Sequence, residues 1–108
     1  MGKLLYGGRD RSFDIDDRLL AHLRIVIMNK LRRSEPFMYH HVDANLTTSL
    51  WIHPSVPLVL HFYGSRAPML NPAWIEELMR GANSAQGLYL TPEPPRAAVN
   101  GTPVPLPL

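Results

Sequence analysis

Residues 16–33 read DDRLLAHLRIVIMNKLRR, and the period of apolar positions in this stretch decides how the rest of the chain is organised. At 100° per residue, Leu19, Leu20, Leu23, Val26, Ile27, Met28 and Leu31 fall on one broad arc, which predicts an amphipathic helix. Asp16 or Asp17 can cap its start by accepting from amides that have no partner within the helix. Pro36 bars continuation much beyond Arg33. Arg18, His22, Asn29, Arg32 and Arg33 gather on the opposite side as the expected solvent face. Lys30 lies at the margin of the apolar arc, where its stem can rest on the core edge. Ile25 falls among the polar positions and is therefore a candidate contact with a second subunit.

Outward from this helix, both flanks read as strands. Residues 3–6 and 11–15 form a predicted hairpin around Gly7-Gly8. On the other side, residues 37–42 and 47–52 pair across the Asp43-Ala44-Asn45 loop, and residues 58–63 add a third strand set off by Pro54 and Pro57. Asn71-Pro72 marks a second helix, because asparagine caps free amides and proline has no amide to satisfy. Trp74, Ile75, Leu78, Met79 and Ala82 recur at helical spacing, and residues 88–90 follow Gly87 as a last strand. The order ββαβββαβ predicts a single α+β domain over residues 1–91, with two helices packed on one face of a mostly antiparallel sheet. From Pro92 onward six prolines and no aromatic residue predict a flexible Pro-rich tail, residues 92–108.

Composition narrows the chemistry. The 108 residues suffice for one hydrophobic core, and 45% apolar content favours folding over disorder. Eleven Lys and Arg against nine Asp and Glu give a charge of +2, short of the balance of a dedicated nucleic-acid binder. The absence of cysteine excludes disulfides and thiolate chemistry. No apolar run suits a membrane span or a signal peptide, so the expected location is the cytoplasm.

Reactive motifs are sparse. No phosphate-binding glycine loop and no Gly-x-Ser-x-Gly turn occurs. His40 or His41 with Asp43, His53 and His61 is an imaginable metal set, but its spacing matches no ligand pattern, and no metal or cofactor is expected. Arg18, Arg32 and Arg33 are candidate phosphate contacts, positioning residues rather than base readers. In residues 56–63, Val56, Leu58, Leu60 and Phe62 alternate with Pro57, Val59, His61 and Tyr63, so both faces carry apolar groups. One face should meet the helices, and the other, with Val59, His61 and Tyr63, would be either covered by the tail or presented to a partner. Trp51, Trp74, Phe37, Phe62 and Tyr63 are expected to fill the core.

Several separated segments agree in order with a family of small actinobacterial proteins. They are Asp16-Asp17-Arg18-Leu19-Leu20-Ala21-His22-Leu23, Lys30-Leu31-Arg32-Arg33, Leu50-Trp51-Ile52-His53-Pro54-Ser55-Val56-Pro57-Leu58, Asn71-Pro72-Ala73-Trp74-Ile75-Glu76-Glu77-Leu78-Met79, Ala82-Asn83-Ser84 and Gly87-Leu88. The chain resembles this family from Met1 to about Pro95. Members are of unknown function and often carry the automatic label ATP-dependent DNA ligase. The family has glycine where this chain has Ser34, and the resemblance implies no catalytic or binding residue. A ligase needs a lysine in a Lys-x-Asp-Gly setting, and the only lysines, Lys3 and Lys30, are followed by Leu4-Leu5-Tyr6 and Leu31-Arg32-Arg33. The expectation is a non-catalytic module acting by protein–protein contact, as a homo-oligomer or with another protein. The alternative is a DNA-associated accessory protein using the basic helix face.

Overall fold

The computed structural model describes residues 1–8, 11–64 and 69–95. The chain runs β1 (Gly2–Tyr6), β2 (Ser12–Ile15), α1 (Asp17–Arg32), β3 (Phe37–Asp43), β4 (Leu46–Ile52), β5 (Leu58–His61), α2 (Pro72–Ala82) and β6 (Leu88–Tyr89). The α+β class and the order ββαβββαβ are those the periodicity predicts. The strands divide into two three-stranded sheets, β2-β1-β5 and β4-β3-β6, where the sequence suggested one. All pairs are antiparallel except β3 with β6. At the division Pro54 and Pro57 turn the chain between β4 and β5, and β5 pairs with β1 instead of β4. Tyr6 links the sheets, donating its hydroxyl to the Trp51 carbonyl and accepting from the His53 amide at 3.0 Å.

Each helix starts where its cap predicts. Asp16 accepts from the amides of Arg18 and Leu19, and Asn71 accepts from Ala73 at 3.1 Å. α1 ends on Ser34 with φ of 57°, the left-handed conformation that closes a helix through Ser34 N–H to Leu31 and Glu35 N–H to Lys30. That conformation costs a non-glycine residue about 1 kcal/mol.

One core joins both sheets and both helices, with Leu4, Leu20, Leu23, Tyr39, Ile52, Ile75, Leu78 and Leu88 fully buried. Phe37 and Trp74 are in it, as expected, and Phe62 packs against it. Trp51 and Tyr63 are not: they are 53% and 62% exposed. Trp51 alternates with Leu50 and Ile52, so once these two face the core, the strand period turns Trp51 outward.

The solvent face of α1 is also rotated from the expected one. His22 and Asn29 are buried, Met28 is exposed, and Ile25 is half-buried against the core. α2 packs along the His22 side, so α1 has two neighbours and a wider buried arc than a helix lying on a sheet alone. Lys30 is buried too, donating to Asn83 Oδ1 at 2.7 Å and to Glu35 at 3.2 Å.

The start of the Pro-rich segment departs from a flexible tail. Trp74 Nε1 donates to the Thr91 carbonyl at 3.0 Å, and Asn71 Nδ2 donates to the Pro94 carbonyl at 3.0 Å. Arg18 grips Glu93 with two N–H groups at 2.7 Å. Residues 91–94 are therefore a strap across the helix starts, and residues 96–108 lie outside the described ones.

Candidate functional site

Alternation along β3 and β4 builds an outward face on the β4-β3-β6 sheet. Phe37, Tyr39 and His41 point inward, so Met38, His40 and Val42 point out; Thr47, Ser49 and Trp51 do the same on β4. Register sets Met38 opposite Trp51, Val42 opposite Thr47, and His40 between Ser49 and Tyr89. His40 stacks on Tyr89, with ring centres 4.4 Å apart and planes 23° from parallel. Its Nε2–H donates to the Gln86 carbonyl at 2.7 Å, which leaves Nδ1 to accept from Ser49 Oγ, also at 2.7 Å. Val42 and Tyr89 are 59% and 48% exposed. The result is an aromatic and aliphatic patch, centred on the held His40, with no charged group among Met38, His40, Val42, Thr47, Ser49, Trp51 and Tyr89 when the imidazole is neutral.

The strand singled out by its two apolar faces alternates between the core and the outside. Leu58 and Leu60 pack against the core, while Val59 and His61 lie on the outer side of the β2-β1-β5 sheet beside Leu5 and Lys3. Leu5, Gly8, Pro57, Val59 and His61 line a shallow recess of about 260 Å³. Tyr63, exposed just past β5, donates its amide to Asp17 Oδ2 at 3.2 Å. This face is more polar than the other, because Lys3 bonds Asp14 at 2.5 Å across it and lowers the Asp14 pKa.

The structure separates residues grouped by type. Arg18 lies some 21 Å from Arg32 along α1 and is committed to Glu93 and the Met69 carbonyl, so Arg18, Arg32 and Arg33 form no single basic face. Arg32 and Arg33 are exposed at the far end. The histidines are likewise dispersed. His40 faces outward and His41 inward, bonded to Tyr39 at 2.8 Å; His53 accepts from the Ser55 amide at 3.1 Å in the β4–β5 turn. Among the described residues, no three His, Cys, Asp or Glu side chains come together as a metal site. No helix among them is long and apolar enough to cross a membrane.

His22 is the centre of the strap network. Its Nδ1–H donates to the Arg18 carbonyl at 2.7 Å, and Nε2 accepts from the Asn71 amide at 2.7 Å. Burial holds its pKa below 6.5, and burial lowers that of His41 in the same way. Both bind protons more readily when unfolded, so stability is fully present above about pH 6.5 and falls as the pH drops below it. Denaturant titrations between pH 7.5 and 5 should show this decline, with a shallower slope in His22→Gln; a flat profile would contradict the buried neutral imidazoles. Glu93 adds a separate acid limb. Arg18 and then Asn71 hold its carboxyl down to about 2, so its contribution is present above about pH 4.5 and is lost toward pH 2.

Trp51, Tyr89, Met38 and Val42 were not among the expected surface residues. The signal for Trp51 was present, since a tryptophan between two core-facing strand residues must point away from the core. Tyr89 needed the parallel pairing of β6 on β3, which no local pattern announces.

Fold and surface together define a small α+β domain with two three-stranded sheets. The family model described as Domain of unknown function (DUF7882) matches residues 1–93, and the chain belongs to that family. The match takes in every strand and helix among the described residues and ends at Glu93, the anchor of the strap. No curated protein matches the chain. No solved structure matches it either.

Proposed function

We propose that the chain is a non-catalytic protein-interaction module that self-associates through the outer face of the β4-β3-β6 sheet. The observation that carries this reading is the uncharged aromatic patch of Met38, His40, Trp51 and Tyr89 with Val42 beside it. Exposed apolar surface in one contiguous, ordered patch gains from removal from water at roughly 25 cal/mol per Å². A two-fold contact sets a face against its own copy, so a charge near the axis meets its like, and a charge elsewhere must find its opposite on the same face or lose its water unpaired. This face brings no such repulsion when His40 is neutral, whereas the opposite sheet would place its Lys3–Asp14 pair in the contact.

The test is solution mass. Light scattering after gel filtration should give about twice 12.2 kDa for the wild type at about 100 μM, and the monomer mass for Trp51→Glu. Trp51 is exposed, so circular dichroism should show the fold retained. A wild type that stays monomeric at that concentration, or a Trp51→Glu variant that still pairs, contradicts the assignment of this face.

A further inference from the structure

The other sheet carries a different opportunity, at the open edge of β5. In the order β2-β1-β5 this strand has, among the described residues, a partner on one side only. Gly7 N–H donates to the Pro57 carbonyl at 2.9 Å, which fixes the phase of the ladder. Val59 and His61 therefore turn their backbone groups to β1, and Leu58 and Leu60 turn theirs to the open side. An unpaired row of this kind is a template for another strand.

Beneath that edge lies a groove of about 580 Å³ between β5 and α1, floored by Ile27, Met28, Leu31, Leu58 and Leu60. Its charged lining is Arg24 and Arg32, with no acid. Neither arginine has an ion-pair partner among the described residues; Arg24 lies over the Phe62 ring at 4.7 Å. Asp17, at the helix start, holds the amides of Tyr63 and Gly64, and Arg24 lies at Phe62. α1 thus runs antiparallel to β5, and the groove follows both. Arg24 and Arg32 are eight residues apart, about 12 Å along the helix. In a strand, residues i and i+4 share a face and stand about 13 Å apart.

We propose that the β5 edge binds an extended segment of a partner protein with the pattern acid–x–apolar–x–acid, as a fourth strand of the β2-β1-β5 sheet. The central apolar side chain enters the groove at Met28 and Leu31, the flanking carboxylates meet Arg24 and Arg32, and the backbone pairs with Leu58 and Leu60. A second copy of β5 is a poor occupant, because two-fold pairing would bring the arginines of one copy toward those of the other. This surface is on the opposite sheet from the self-association face, and its test is independent of that reading.

The probe is a fluorescein-labelled, end-capped Thr-Glu-Thr-Leu-Thr-Glu-Thr peptide, compared with the same peptide carrying Lys for Glu, against the full chain. Anisotropy should show saturable binding of the Glu peptide below about 1 mM and at least about tenfold weaker binding of the Lys peptide. The double variant Arg24→Glu/Arg32→Glu should reverse that preference. Hydrogen exchange at the Leu58 and Leu60 amides should slow on binding, and Trp51→Glu should bind the Glu peptide as the wild type does. Equal binding of the two peptides by the wild type, no saturation up to about 1 mM, or unchanged exchange at Leu58 and Leu60 would overturn the proposal.

Discussion

Asn71→Ala is expected to destabilise the domain by roughly 3 kcal/mol, a large share of the 5–15 kcal/mol typical of a folded domain. The side chain is almost wholly buried and acts at both ends. Its oxygen caps α2 through Ala73, a contribution of about 1 kcal/mol. Its amide donates to Glu93 Oε2 at 2.9 Å and to the Pro94 carbonyl, and acceptors left without a donor there cost about 1–3 kcal/mol. Asn71→Asp separates the two roles, because it keeps the cap acceptor but places a carboxylate against Glu93. The aspartate variant should keep the helix start and release residues 91–94, read as faster exchange of the Trp74 indole N–H now bonded to Thr91. Denaturant unfolding that shows less than about 0.5 kcal/mol of loss for the alanine variant would remove Asn71 from this role.

Gly87→Ala should cost about as much and should also weaken self-association. Gly87 has φ of 92°, where an alanine is strained by about 1–2 kcal/mol or more. A Cβ there would stand 2.8 Å from His40 Nε2, 2.9 Å from the Met38 carbonyl oxygen and 3.1 Å from Met38 Cβ. Overpacking of this kind adds roughly 1–3 kcal/mol, since the Met38 carbonyl belongs to a paired strand and cannot withdraw cheaply. Relief requires β6 to move off β3, which takes Tyr89 away from His40 and dismantles the aromatic face. Gly8→Ala is the control: φ is 125°, yet nothing lies within 4 Å of the added carbon, so only the backbone strain should appear. Equal losses in the two variants would show that crowding at Gly87 contributes nothing. Unfolding curves at fixed protein concentration check this, because self-association itself adds stability.

Legibility in the sequence followed the range of the cause. Asp16, Asn71-Pro72 and Pro36 act within a few residues, and the helices start and stop where these residues predict. The alternation of Leu58 and Leu60 with Val59 and His61 is local as well, and the structure follows it. Ile25 and His22 were misplaced for one reason: an angular plot of a helix knows its own period but not how many neighbours it will have. With α2 on a second side of α1, a histidine that read as solvated became the buried acceptor for the Asn71 amide. Arg18 changed role in the same way, because Glu93 is 75 residues away in sequence and adjacent only in the fold. Trp51 was misread for another reason. It was grouped with the core aromatics, when strand parity beside Leu50 and Ile52 already turned it outward.

The amino-acid order alone determined the α+β class, the succession of elements, the caps and the two-sided character of β5, because each arises from backbone preferences and periodicities acting over one or two turns of chain. Only the tertiary structure decided that the strands part into two sheets, that the Pro-rich segment begins as a clamped strap, and that the exposed aromatic face and the arginine-flanked β5 edge lie on opposite sheets. Those features depend on which distant segments meet, and the pairing of β6 with β3, β5 with β1 and Glu93 with Arg18 is set by the joint packing of one core rather than by any single stretch of residues.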